Sequence, residues 1–157
     1  MKSDAILSED RIYRYALWRI WDNTQPNVMF IGLNPSTADE TEDDPTIRRC
    51  IGFAKSWGYG GLIMANIFAY RATEPEIIKS AKDPIGPEND KWLLKLIQEA
   101  PLVIGAWGNH GKFKGRGRAV MDSIPNLYCL KMNGTGHPAH PLYLPSGLEP
   151  KLINTRK

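Results

Sequence analysis

The chain is 157 residues long, 42% hydrophobic and 24% charged, which fits one globular domain with its own core and leaves no need for a second. Its formal net charge of +3 permits a polyanionic partner without demanding one. No run approaches the roughly eighteen apolar residues of a membrane helix, residues 1–10 lack a signal-like apolar stretch, and Cys50 and Cys129 lie far apart in apolar surroundings. The expectation is a cytoplasmic protein with no membrane segment and reduced core thiols.

In chain order, residues 1–11 are polar and expected to be loosely held. Residues 12–21 alternate, with Tyr13, Tyr15 and Leu17 on one face and Arg14 and Ala16 on the other, and read as an edge strand. A turn at 22–26 leads into residues 28–31, an apolar run that reads as a buried strand of the parallel type. The expected arrangement is a hairpin of these two strands on the rim of a parallel sheet. The run stops at Gly32-Leu33-Asn34-Pro35-Ser36, where Pro35 removes a ladder donor, so a stiff loop presents Asn34 at the carboxyl end of the strand. Residues 39–44 hold five carboxylates and read as a solvated loop rather than a cation site, because no oxygen-ligand spacing is evident. Asp44 and Pro45 are the N-cap and first position of a helix that runs from Ile47 to Trp57 and stops at Gly58.

Residues 60–68 repeat the pattern of an apolar strand that ends on an asparagine, Asn66, and Arg71 in the next loop faces either phosphate or solvent. Residues 74–87 are Pro-rich with one helical turn at 76–81, and 88–100 form an amphipathic helix that turns Trp92, Leu93, Leu96 and Ile97 to the sheet. A third buried strand at 101–108 ends in a glycine turn followed by Asn109 and His110. Lys112, Lys114, Arg116 and Arg118 put four cations into seven residues at the start of a helix that ends by Ser123, a candidate phosphate-binding surface. Residues 126–132 are the fourth core strand. Beyond them a Gly-rich turn carries two His-Pro pairs, His137-Pro138 and His140-Pro141, with the rigid backbone and titratable rings of an active-site loop. His-x-x-His without a supporting Cys or placed carboxylate does not read as a metal site, and no metal or cofactor is expected.

The order of these motifs resembles the uracil-DNA glycosylase superfamily over residues 28–144: strand-Gly-Leu-Asn-Pro, strand-Asn, strand-Trp-Gly-Asn-His, then Gly-His-Pro with a following Pro-Leu. The wording MFIGLNPSTADE, DPTIRRC, WGYGGL and GHPAHPLYLP is similar to a bacterial and phage family catalogued as a domain of unknown function, DUF1643. The resemblance implies a single domain over residues 1–157: a three-layer α/β/α sandwich, uracil-DNA-glycosylase-like, around a mainly parallel sheet of four or five strands. It implies a DNA glycosylase, expected to act as a monomer, that flips a pyrimidine out of DNA and hydrolyses its N-glycosidic bond. Asn34 would orient the attacking water, Asn66 would read the Watson–Crick edge of the base, and His137, with His140 as the alternative, would stabilise the departing base. Gly32, Leu33, Pro35, Ser36 and Asn109 would line the substrate pocket. Arg71, Lys112, Lys114, Arg116 and Arg118 would hold phosphates, and Leu142 would enter the base stack. Ser36 stands where uracil-specific members carry a bulky Tyr against pyrimidine C5. The small residue implies a C5-substituted base, such as mismatched thymine or a hypermodified phage cytosine. A hydrolase of free nucleosides or nucleotides and a non-catalytic nucleic-acid-binding module are the alternatives.

Overall fold

Val28 and Phe30 project to one side of their strand and Met29 and Ile31 to the other, and all four are fully buried. Such a strand needs an apolar layer on each face. The computed structural model, which describes residues 1–153, provides both. Its strands are β1 Lys2–Leu7, β2 Arg14–Ile20, β3 Asn27–Gly32, β4 Gly61–Asn66, β5 Val103–Gly105, β6 Tyr128–Cys129 and β7 Lys151–Leu152. They form one mixed seven-stranded sheet in the order β1-β2-β4-β3-β5-β6-β7. The β4-β3, β3-β5 and β5-β6 pairs are parallel, and antiparallel pairs flank them on both sides.

Four helices complete the layers: α1 Pro45–Ser56, α2 Pro75–Ser80, α3 Asn89–Ile97 and α4 Arg116–Ser123. Ile47, Cys50, Phe53 and Ala54 of α1 pack with Val28, Phe30, Leu62 and Met64. Leu93 and Leu96 of α3 and Val120 and Met121 of α4 pack on the opposite face with Met29, Ile31 and Ile63. Helix α1 starts where the sequence places its signals: the Asp44 carboxylate accepts from the Ile47 N–H at 2.9 Å, and Pro45 fills the first turn.

The structure corrects three expectations. The sheet has seven mixed strands rather than four or five mainly parallel ones. Residues 2–7 are not loose but pair with β2 along their length. Nor is β2 an edge strand in a hairpin with β3, because it lies between β1 and β4. The physical reason lies in its arginines. Arg14 and Arg19 are 2% and 1% exposed, so what read as a solvent face is a buried one with polar partners.

The connections also place a crevice. From β3 the chain crosses to β4 on one side, then returns past β3 to β5 on the other. Outside the carboxyl ends of β3 and β5 the two connections part, and a doubly wound sheet leaves room for a ligand there.

Candidate functional site

A cleft of about 440 Å³ opens at that point. Its walls are the loop after β3, with Asn34, Ser36 and Asp44, the loop after β5, with Trp107, Asn109 and His110, and the segment bearing His140 and Leu142. The volume is within the range of small-ligand sites, roughly 300–1,000 Å³.

Asn34 is held by its amide nitrogen. Nδ2 donates to the carbonyls of Pro35 at 3.0 Å and Ala72 at 2.8 Å. The Ala72 N–H donates in turn to the Pro35 carbonyl at 2.9 Å, so the loop after β3 is stapled to the loop after β4. With both Nδ2 hydrogens engaged, Oδ1 remains the free acceptor of a side chain that lines the cleft. Leu33 and Pro35 are buried supports, and Ser36 lines the cleft as a small residue.

Beneath the cleft floor is a smaller cavity of about 30 Å³, room for about one water, lined by Arg14, Asn34, Ser36, Asp44, Asn66 and His140 among others. Asn66 is 2% exposed and reaches only this inner space. The Arg14 guanidinium donates to Asn66 Oδ1 at 3.3 Å and to the Ala38 carbonyl at 2.9 Å. Arginine has donors and no acceptor, so the Asn66 oxygen faces Arg14 and Nδ2 is the atom left to meet a ligand. Nδ2 lies against Gly32, where a Cβ would sit 2.9 Å from it and 2.8 Å from Met64 Cε. A glycine is therefore required for Asn66 to stay in place. Burial lowers the Arg14 pKa to about 10, against the favourable field of Asp44, so it remains a cation at neutral pH. The Asp44 carboxylate accepts from the amides of Ile47 at 2.9 Å and Ala38 at 3.3 Å and lines both spaces.

The two histidines of the His-Pro pairs separate. Residues 137–139 fold back beside the chain after β6: Asn133 N–H donates to the His137 carbonyl at 2.9 Å and Ala139 N–H to the Lys131 carbonyl at 2.8 Å. His137 thereby lies outside the cleft lining, its Nδ1 accepting from Trp107 Nε1 at 3.2 Å. His140 lines the cleft and the inner cavity with Asn34. Its Nδ1 accepts from the Leu142 N–H at 3.2 Å and caps the short 3₁₀ turn Pro141–Tyr143. Both rings accept at Nδ1, so each neutral ring carries its proton on Nε2. Burial lowers the His140 pKa against the pull of Asp44, and burial with the charges of Arg118 and Lys112 lowers that of His137. Gly108, at φ +77°, lets the β5 loop approach His140, whose Cβ would be 3.3 Å from an added Cβ.

The basic run divides. Arg116 is 8% exposed, with its guanidinium on the Ile67 carbonyl at 2.8 Å and on Asp90 at 2.6 Å, so it does not join the expected phosphate surface. Lys112, Lys114 and Arg118 are exposed. Arg71 is half-buried beside the cleft in an adjoining groove, its Nη1 on the Arg11 carbonyl at 3.2 Å. Asn109 holds the rim, accepting from Asn133 at 2.9 Å and Thr135 at 2.6 Å. Leu142 and Tyr143 stand 44% and 84% exposed at its edge.

The acidic loop is neither freely solvated nor convergent. Arg19 reaches Asp43 at 2.7 Å and the carbonyls of Asp39 and Glu42, Arg11 pairs with Glu40 at 2.6 Å, and Asp39 accepts from Thr41 and Glu42 amides. Among the described residues no three His, Cys, Asp or Glu side chains converge to hold a metal ion, and no helix is long and apolar enough to cross a membrane.

A family model described as a protein of unknown function (DUF1643) matches residues 14–142. The chain belongs to that family. The matched span runs from the buried Arg14 to the rim Leu142, so it takes in every cleft-lining residue but Tyr143 and leaves β1 and β7 outside. No curated protein and no solved structure matches the chain.

Three site residues escaped the sequence reading. Asp44 reads as a helix cap, yet its carboxylate also faces the cleft. Arg14 reads as an edge-strand side chain, and Trp107 as one residue of a glycine turn. The signal for Asp44 was available: the cap of a helix that follows β3 sits at the carboxyl edge of the sheet, where ligands bind.

Proposed function

We propose that this protein is a DNA glycosylase of the uracil-DNA glycosylase type that hydrolyses the N-glycosidic bond of a C5-substituted pyrimidine flipped out of DNA. The observation that carries this reading is the pairing in one cleft of a free asparagine oxygen, Asn34 Oδ1, with a half-buried neutral imidazole, His140, whose proton is on Nε2.

Bond cleavage needs an oxocarbenium-like sugar, a base that departs as an anion and a placed water. Asn34 Oδ1 accepts a hydrogen bond from the water and aims its oxygen at C1′; an amide has no useful basicity, so it orients rather than deprotonates. The N-glycosidic electron pair leaves on the base, the water oxygen bonds to C1′, and the water's proton passes to solvent. His140 Nε2–H donates to the developing base anion. Asp44, fixed by two backbone amides, supplies negative charge for the sugar cation. His140 takes the role that the resemblance gives first to His137, because His137 is bonded to Trp107 outside the cleft lining.

Arg14 narrows the substrate. With Asn66 Oδ1 turned to the guanidinium, a base that reached into the inner cavity would meet an N–H, which pairs with a ring carbonyl and not with an exocyclic amine. Thymine and other 5-substituted uracils fit that donor better than 5-modified cytosines. Ser36 leaves room beside C5.

The test is incubation with DNAs carrying uracil, thymine opposite guanine, 5-hydroxymethyluracil, 5-hydroxymethylcytosine or glucosylated phage cytosine, followed by alkaline cleavage and mass detection of released base. Release of a 4-oxo, 5-substituted base is expected, with Asn34→Ala and His140→Ala each slowing it by about 10²–10³ while DNA binding persists. No release from any member, or release unaltered in Asn34→Ala, overturns the reading.

A further inference from the structure

Beside the cleft runs an open groove of about 490 Å³ that shares Ser36, Ala72 and Thr73 with it. Those three residues border both spaces. The other walls combine what a nucleotide requires: the Tyr70 ring, the apolar side chains of Ile12 and Ile77, and the cation of Arg71. Ile12 and Ile77 are 43% and 41% exposed, large apolar side chains left open on either side of the groove.

The charge of the groove resides in Arg71. Arg11 also borders it, but Glu40 at 2.6 Å and Asp39 at 3.7 Å neutralise that guanidinium. Arg71 has no carboxylate within ion-pair distance among the described residues, and its hydrogen bond to the Arg11 carbonyl fixes it in the groove wall. Its Nε is enclosed without a partner. An aromatic ring flanked by aliphatic side chains, next to one fixed and unneutralised guanidinium, is the chemistry that binds an unstacked base and the phosphate joined to it.

We propose that this groove seats the nucleotide adjacent to the one in the cleft, with its base against Tyr70 and its phosphate on Arg71. The proposal rests on the reading of the cleft as a base site and adds the strand form: a neighbour still stacked and paired in a duplex cannot enter the groove, so the protein engages single-stranded or locally unpaired nucleic acid. It also requires a substrate of at least two linked nucleotides.

The experiment measures binding of the full chain to thymidine 5′-phosphate, to the dinucleotide dTpT, to a short oligothymidylate and to that oligothymidylate annealed to its complement. The dinucleotide is expected to bind about tenfold or more tightly than the mononucleotide, in line with stacking contributions of roughly 1–3 kcal/mol per base. Annealing weakens binding. Tyr70→Ala and Arg71→Gln erase the dinucleotide gain. Tyr70→Phe retains the gain, and Arg71→Gln tests the groove independently of whether Tyr70→Ala folds. Equal binding of mono- and dinucleotide, full dinucleotide binding by Arg71→Gln, or equal binding of annealed and single strands overturns the proposal. The two readings fail separately. Base release unaffected in Tyr70→Phe, Tyr70→Ala and Arg71→Gln would keep excision and end the groove. Tyr70-dependent oligonucleotide binding without release of any base would keep the groove and end excision.

Discussion

The two loops that wall the cleft carry opposite runs of charge and treat them differently. The loop after β3 holds five carboxylates in residues 39–44, and four of them are engaged by Arg19, Arg11 or backbone amides, with Glu42 left exposed. The loop after β5 has four cations in residues 112–118 and turns only Arg116 inward, leaving Lys112, Lys114 and Arg118 on the surface. A charge run in a sequence is therefore no measure of the field a partner meets. The acidic loop, which in sequence argues against a polyanion at this cleft, is partly neutralised by Arg11 and Arg19, whereas most of the basic charge is available.

The largest expected effect comes from removing the anchor of the acidic wall. Arg19 is 1% exposed and binds Asp43 together with the carbonyls of Trp18, Asp39 and Glu42. Arg19→Met leaves those groups without their cation, and breaking a buried ion pair from one side costs about 3–5 kcal/mol. Urea denaturation should show that loss. A change under 1 kcal/mol would mean that the acidic loop is solvated after all and that the contrast between the walls is false.

Arg116→Met should cost less, about 1–3 kcal/mol, because the Ile67 carbonyl loses its donor. Its Asp90 partner is 72% exposed, so that ion pair is screened and contributes little. The same substitution should leave the salt dependence of DNA binding unaltered. Lys112→Gln with Lys114→Gln should do the reverse: stability within about 0.5 kcal/mol of the native chain, and a slope of log affinity against log salt shallower by roughly 0.7–0.9 per lysine that contacts phosphate. If Arg116→Met changes the slope and the lysine pair does not, inward and outward charges have been assigned the wrong way round.

The sequence was legible where a signal is local. The apolar runs of β3 and β4, the Asp44-Pro45 start of α1 and the strand-end placement of Asn34 all follow from residues within one turn or one strand of each other. Arg116 was also legible in principle, because it stands at i, i+4 and i+8 with the buried Val120 and Ile124 and so falls on the apolar face of α4. What was not legible depends on distant partners. The alternation that set Arg14 opposite Tyr13 and Tyr15 made β2 read as an edge strand, because Ala38 and Asp43, which satisfy Arg14 and Arg19, are each 24 residues further on. β1 buries little and β7 is two residues long, so pairing rather than pattern defines them. Which of His137 and His140 lines the cleft turned on how residues 137–139 fold back along residues 131–133, beyond β6, which no spacing in the motif specifies.

The smallest effect concerns the rim between the two walls. His140 accepts from the Leu142 N–H at Nδ1, so protonation would set two donors against each other and release the turn that carries Leu142 and Tyr143. Burial holds the folded-state pKa of His140 below its unfolded value, so the unfolded chain binds the proton first as pH falls. The stability contributed by the neutral ring is complete above the ordinary histidine pKa of about 6.5 and is lost as pH drops from there through the depressed value. Thermal unfolding should show a decline over that interval that is smaller in His140→Gln, and amide resonances of Leu142 and Tyr143 should shift with the His140 ring signal. Titration of His140 at or above 6.5, with no response at Leu142, would mean that its surroundings do not favour the neutral ring, and the rim would not depend on it.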